Sequence, residues 1–139
     1  MGKTEDYVLD LLEQLLGPAE RGKTFEWAVG DPSPKTGRRR RLPFDAVWEQ
    51  RKLIVEVEEE QHRESTPFFD KPHRMTVSGV HRGEQRRVYD ERKRAAARAR
   101  GYRVVAVAWS RKRERLQNDV NDLADLLAAE GIEVGLWEA

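Results

Sequence analysis

The chain has 139 residues with a formal net charge of +1; 37% of the residues are charged and 38% are hydrophobic, which is typical of one soluble globular domain spanning residues 1–139. The absence of cysteine excludes disulfides, thiolate catalysis and zinc–thiolate sites. Because no apolar stretch is long enough to span a membrane and the N-terminus lacks a signal-peptide pattern, we expect a cytoplasmic protein with no membrane partner.

The first half of the chain predicts one helix followed by three strands. Apolar residues at helical spacing predict a helix from about Thr4 that ends at Gly17-Pro18. Residues 30–37 are rich in Gly and Pro and predict a loop. Runs of aromatic and β-branched residues predict strands at Thr24 to Val29, at Leu42 to Trp48 and at Lys52 to Glu58.

The second half predicts alternating helices and strands after a long loop at Gln61 to Gly83, and loops of that length are often functional. The helical crossover between the third and fourth strands favours parallel pairing. We therefore expect an α/β fold with a mixed central sheet flanked by helices, in the order αβββαβ plus a C-terminal αβ. The elements after the loop are a helix at Glu84 to Arg100, a buried strand at Tyr102 to Trp109, a helix at Leu116 to Glu130 and an edge strand at Ile132 to Trp137.

Three acidic residues in the second and third predicted strands form a candidate site. Glu56 and Glu58 are two apart in a strand, so their side chains leave the same face. If the strands pair as a hairpin across residues 49–51, Asp45 comes near that face. Converging carboxylates raise each other's pKa unless a cation joins them. Oxygen ligands of this kind suit Mg²⁺, for which Mn²⁺ substitutes, and a phosphodiester is the natural substrate of such a site.

A strand also carries Glu at alternating positions when that face is simply solvated. Two observations favour a site over that alternative: Asp45 lies in an otherwise apolar strand, and the next strand ends in the dense acidic run Glu56 to Glu60. The arginines are distributed around these acids, in the run at residues 38–41 and in a stretch from Arg82 to Arg115. A carboxylate site bordered by arginines fits an enzyme that acts on a polyanion, although arginine-rich segments are also often solvated faces.

The order of elements, with acids on the second and third strands, resembles the PD-(D/E)XK nuclease superfamily, which has a restriction-endonuclease-like core. Asp45 and Glu56 match its two acids, and Glu58 falls where most members carry Lys. A further resemblance is to the branch containing very short patch repair endonucleases. It rests on Pro43-Phe44-Asp45, on Gln61-His62 after the acidic strand, and on the helix from Asp90 that leads through Gly101 into an apolar strand ending near Val105.

The resemblance implies a role for each matching residue. Asp45 and Glu56 would ligate a divalent metal, the carbonyl of Val57 would add a ligand, and Glu58 would ligate a second ion or help to activate water. His62 would act as general base and Gln61 would contact the site. An acid on the first helix, either Glu5 or Glu13, would face the same site. The alternative for His62 is a structural histidine in a loop, and His73 and His81 are expected to be loop or phosphate-contacting residues. A zinc site built from all three histidines is a further alternative, and it lacks a standard spacing.

These observations together predict a Mg²⁺-dependent endonuclease that hydrolyses DNA and cuts as a homodimer or nicks as a monomer. Phe68, Phe69 and Met75 would contact bases or form a dimer contact. Two alternatives remain open: a catalytically inactive nucleic-acid-binding or assembly module of the same fold, and an interaction protein whose acidic strand is only surface. The residues expected to bind the DNA backbone are Arg38, Arg39, Arg40, Arg41, Arg82, Arg86, Arg87, Arg92 and Arg94.

Overall fold

A computed structural model of the chain describes residues 3–59, 82–109 and 116–134. Within these ranges no helix is long and apolar enough to cross a membrane. The helices are α1 (Lys3–Leu16), α2 (Arg82–Ala99) and α3 (Leu116–Ala129). The strands are β1 (Glu20–Lys23), β2 (Val29–Pro32), β3 (Arg39–Arg41), β4 (Phe44–Trp48), β5 (Leu53–Glu59) and β6 (Arg103–Trp109), and a single 3₁₀ turn at Glu49–Arg51 joins β4 to β5.

The central sheet is mixed and has the strand order β1-β4-β5-β6. Strands β4 and β5 are antiparallel, with Ala46 opposite Val55, as the predicted hairpin requires. Strands β5 and β6 are parallel and in register from Leu53↔Arg103 to Glu59↔Trp109, and α2 lies between them in the chain. The mixed α/β class and the parallel crossover are therefore confirmed.

Apolar side chains pack against both faces of the sheet. One cluster joins α1 and α3 to the face that carries Val55 and Val107. The other joins Ala97 of α2 to the face that carries Ile54. Because side chains alternate along β5, Glu56 lies on the same face as Ile54, beneath α2.

The predicted strand at Thr24 to Val29 is wrong. Phe25 and Trp27 lie in a turn, where their rings stack with centroids 4.4 Å apart. The strand that pairs with β4 is instead β1, whose sequence Glu-Arg-Gly-Lys has no apolar alternation. β1 is an edge strand of the sheet. Its Arg21 side chain forms ion pairs with acids of α1, where an apolar strand would pack apolar side chains.

The predicted loop at residues 30–37 is confirmed at residues 33–37, which form the turn of an antiparallel hairpin outside the central sheet, whereas residues 30–32 belong to β2, which pairs with β3. The turn is closed by hydrogen bonds that Ser33 N donates to Arg38 O and Gly37 N donates to Ser33 O, both 2.8 Å long. Gly37 has a φ of 72°, which favours glycine.

The predicted final strand is not formed in its first three residues. Ile132 N donates to Leu127 O and ends α3, and residues 132–134 have no regular structure. The rest of that prediction, residues 135–137, lies outside the described residues. The structure also begins α2 at Arg82, two residues before the predicted start of that helix.

Candidate functional site

Asp45 and Glu56 lie next to each other on the paired strands β4 and β5. Asp45 N donates a hydrogen bond to Glu56 Oε2 at 3.1 Å, and Val57 N donates one to Asp45 Oδ2 at 2.7 Å. Each carboxylate is thus held by a backbone amide of the opposite strand. Glu56 is buried, with a relative exposure of only 3%. The sequence prediction that these two acids come together is confirmed.

Lys93 of α2 completes this pair, and the sequence analysis missed it. Its Nζ lies 2.7 Å from Glu56 Oε1 and donates a hydrogen bond to Pro43 O at 2.8 Å. Lys93 is itself only 8% exposed. A buried lysine without a partner is strongly disfavoured, so the ion pair with Glu56 accounts for its position.

A second cation of α2, Arg94, pairs with Glu58 and also lies near Glu56. Arg94 Nη2 donates to Glu58 Oε1 at 2.9 Å, while Arg94 Nε lies 3.9 Å from Glu56 Oε1. The predicted convergence of three carboxylates is therefore incomplete. Asp45 and Glu56 are adjacent, whereas Glu58 lies beside them with its charge compensated by Arg94.

A further acid reaches Asp45 from the first turn of α1. Glu5 contacts the Asp45 carboxyl, and Glu5 Oε2 is buried with no hydrogen-bond partner among the described residues. Glu13 lies elsewhere, since it accepts a hydrogen bond from Arg21 Nε at 2.7 Å. Of the two acids that the resemblance left open, Glu5 is the one at the site.

Burial and negative neighbours make both central carboxyls weaker acids. Burial raises the pKa of Asp45 to about 6, and the nearby Glu5 adds to the rise, while the Val57 amide and Lys93 oppose it. Burial also raises the pKa of Glu56; Lys93 opposes that rise and Asp45 adds to it. Both carboxyls therefore keep their protons to a higher pH than exposed carboxyls do, and a bound cation would favour their charged forms.

We expect Glu5→Gln to lower the pKa of Asp45 from about 6 toward its ordinary value of 3.8, because it removes a like charge and supplies an amide donor. Carboxyl ¹³C chemical shifts followed against pH measure this change directly. Glu13→Gln is the matched control on the same helix and should leave the pKa of Asp45 unchanged. An equal effect of both variants, or no effect of Glu5→Gln, contradicts the placement of Glu5.

The donor set partly fits the expected Mg²⁺. No three His, Cys, Asp or Glu residues among those described are arranged to hold a metal ion. Mg²⁺, however, retains several waters and is commonly bound through one or two carboxylates. Asp45 and Glu56 supply two such groups, with only oxygen donors, and the unpartnered Glu5 Oε2 lies beside them. These residues fit a partly hydrated Mg²⁺ with no preformed cage.

The remaining predicted residues fall into three groups. Gln61 and His62, with His73, His81 and the apolar residues of the predicted loop, lie outside the described residues, and so does the side chain of Arg82. Arg92 forms an ion pair with Asp31 at 2.9 Å and joins α2 to β2. Of the arginines predicted to bind DNA, six are exposed: Arg38, Arg39, Arg40 and Arg41 on the hairpin and Arg86 and Arg87 on α2.

Comparison of the chain with models of protein families, with curated proteins and with solved structures found no match. The resemblance to the PD-(D/E)XK superfamily therefore stays a prediction, and the site has to be interpreted from its own geometry.

Proposed function

We propose that this protein is a divalent-metal-dependent endonuclease that hydrolyses DNA phosphodiester bonds at Asp45 and Glu56, with a restriction-endonuclease-like fold. The observation that supports this most is a pair of adjacent carboxyls beside a buried lysine: Glu56 is buried, and Asp45 is half-buried with its pKa raised to about 6. Acids whose pKa values are raised by burial beside a specific charged partner cluster at functional sites, because catalysis needs such shifted groups even though burying them costs stability.

Each residue of the site has a distinct part in this proposal. The backbone amides of Val57 and Asp45 fix the two carboxylates, and Lys93 fixes Glu56 by occupying its second oxygen. A bound Mg²⁺ supplies Lewis-acid stabilisation of phosphoryl charge and lowers the pKa of a water molecule. Most members of the superfamily that the chain resembles carry Lys at the position of Glu58, and in this proposal Lys93 supplies that ammonium group. Arg94 binds Glu58 and fixes its side chain beside the site.

The exposed arginines give the site a surface for a polyanion. Arg86 and Arg87 lie on the helix that carries Lys93 and Arg94, and residues 38–41 precede Asp45 in the chain. Contacts of arginine with phosphate position the backbone without reading its sequence. Duplex DNA, which carries one negative charge about every 1.7 Å along its axis, is the polyanion that we propose for these cations.

The second candidate function is a nucleic-acid-binding module without catalysis. One observation favours it: Lys93 neutralises Glu56 and Arg94 neutralises Glu58, so two of the acids have cationic partners before any metal binds. This module would bind DNA in a salt-dependent manner and leave it intact in the presence of Mg²⁺.

Incubation of supercoiled plasmid with the protein in Mg²⁺, Mn²⁺ or EDTA tests the proposed function. We expect nicking or linearisation with either metal, none in EDTA, and none from Asp45→Ala or Glu56→Ala. Asp125→Asn, which changes an exposed acid of α3, is the matched control and should cleave like the wild type. Intact plasmid with DNA retained in a gel shift supports the binding module, and cleavage by the two alanine variants contradicts the assigned site.

A further inference from the structure

The two cations that α2 brings to the acids differ in how firmly they are held. Lys93 and Glu56 are both buried, and Lys93 Nζ also donates to Pro43 O. The ion pair of Arg94 with Glu58 lies at the edge of the site, where the two side chains are 20% and 32% exposed. A buried ion pair is costly to break, whereas a partly exposed one contributes little to stability. Arg94 is therefore the cation that can leave its acid.

Arg94 uses only part of its hydrogen-bonding capacity. A guanidinium group has five N–H donors in a planar fork. Among the described residues Arg94 makes one hydrogen bond, from Nη2 to Glu58 Oε1 at 2.9 Å. Its Nε is buried and has no hydrogen-bond partner in the described part of the chain, because Glu56 Oε1 lies 3.9 Å away. Donors of this kind suit an anion with several oxygens, and a phosphate group accepts them in pairs.

The position of Arg94 also opposes the binding of a metal ion. Asp45 and Glu56 are the carboxylates that fit a partly hydrated Mg²⁺, and Arg94 Nε lies 3.9 Å from an oxygen of Glu56. Two positive groups beside one carboxylate repel each other and compete for its charge. Glu58, to which the resemblance assigns a second ion or the activation of water, already binds the same guanidinium group. Arg94 thus competes with a cation for this side of the site.

We propose that Arg94 is an exchangeable counter-ion that regulates this site. In the metal-free protein its guanidinium group holds Glu58 and weakens the binding of a divalent cation. In the complex with DNA it leaves Glu58 and donates to a phosphate oxygen. This inference rests on the proposed function for the identity of the anion, and it adds how the site couples its metal to its substrate. Because linkage is reciprocal, DNA that removes Arg94 from the acids also tightens metal binding.

The first test is a calorimetric titration of Mn²⁺ into the DNA-free protein. We expect Arg94→Met to bind Mn²⁺ at least about fivefold more tightly than the wild type, because a like charge is removed from beside Glu56. Arg94→Lys keeps the charge and should stay within about twofold of the wild type. Arg98→Met changes an exposed arginine one turn further along α2, and as the matched control it should leave the Mn²⁺ affinity unchanged.

The second test is plasmid cleavage at saturating Mn²⁺. We expect Arg94→Met to cleave at least about tenfold more slowly than the wild type in spite of its tighter metal binding, because a charge-assisted contact with phosphate is lost. Arg94→Lys retains the charge without the planar fork, so it should recover only part of the rate. The Arg94→Met substitution thus moves metal affinity and cleavage in opposite directions, which is not expected of a residue that only supports the fold.

Unchanged or weaker Mn²⁺ binding by a folded Arg94→Met protein overturns the inference, and so does tighter binding with cleavage at the wild-type rate. If Arg94→Met does not fold, Arg94→Lys decides the question. Slower cleavage with the wild-type Mn²⁺ affinity supports the inference, and wild-type values of both overturn it. In each of these cases a wild type that binds Mn²⁺ and cleaves leaves the proposed function standing, whereas a wild type that does neither rejects the proposed function itself.

Discussion

Lys93→Met is expected to lower the free energy of unfolding by about 3 to 5 kcal/mol at pH of about 8, because it leaves the buried Glu56 carboxylate without its cation. The variant also loses the hydrogen bond that Lys93 Nζ donates to Pro43 O. Urea denaturation followed by tryptophan fluorescence measures the change. At acidic pH, where Glu56 is protonated in the variant, the loss should shrink.

Two further variants identify the cause of that loss. Lys93→Met/Glu56→Gln should recover much of the stability, because the neutral amide costs less to bury than an unpaired carboxylate. Lys52→Met removes an exposed lysine that lies 3.1 Å from Glu49, and it should have little effect on stability. If Lys93→Met destabilises equally with Glu56 present and with Gln in its place, the ion pair is not what holds Lys93 in the fold.

Asp45→Asn is expected to stabilise the fold at pH of about 8 while strongly reducing metal-dependent cleavage. The pKa of Asp45 is about 6 in the folded protein and 3.8 ordinarily, so ionising it in the fold costs about 3 kcal/mol. Because the folded state binds this proton more tightly than the unfolded state does, the cost appears as pH rises from about 4 to about 6. Asparagine carries no charge at any pH, and its oxygen still accepts from Val57 N.

The gain in stability should therefore be absent at pH of about 3.5 and approach about 3 kcal/mol at pH of about 8. Metal-dependent cleavage should fall by at least about a hundredfold, since a charged oxygen at the reacting centre is lost. Thermal melts across pH and plasmid cleavage measure the two effects on the same samples. If Asp45→Asn is less stable than the wild type at high pH, the Asp45 carboxylate stabilises the fold, which contradicts the predicted gain. If Asp45→Asn cleaves DNA as the wild type does, Asp45 is not part of the catalytic site.

The sequence identified the central acids because strand periodicity is a local property. Alternation alone puts Glu56 and Glu58 on one face, and pairing of the two apolar segments brings Asp45 opposite. Parallel pairing of β5 with β6 follows from the helix between them. These features depend on residues close together in the chain, so single-sequence reasoning reaches them.

Lys93 could not be assigned in the same way, because it lies in a helix with many other cations. The face of α2 that meets the sheet depends on how the helix is rotated against β5 and β6. One signal was present: Lys93 is four residues before Ala97, which is buried in the same helix. Positions four apart share a helix face, so a lysine above a buried alanine indicates an inward-facing charge.

The errors around β1 have a different physical origin. Phe25 and Trp27 have the spacing of a strand, but they lie in a turn, where they stack on each other and pack edge-on or tilted against Phe44 and Tyr102. The true edge strand, Glu20–Lys23, is polar and is held by backbone pairing with β4. Aromatic packing between distant segments overrode local propensity at this position.

The most direct test of the site is a calorimetric titration of Mn²⁺ into the wild type, Asp45→Asn, Glu56→Gln and the control Asp125→Asn. The account predicts saturable binding to the wild type and the control, and binding at least about tenfold weaker in the two site variants. It also predicts that binding near pH 6 releases a proton, because a cation lowers the pKa of Asp45 from about 6. Absence of saturable binding to the wild type, or equal binding by all four proteins, would contradict a divalent-metal site at Asp45 and Glu56.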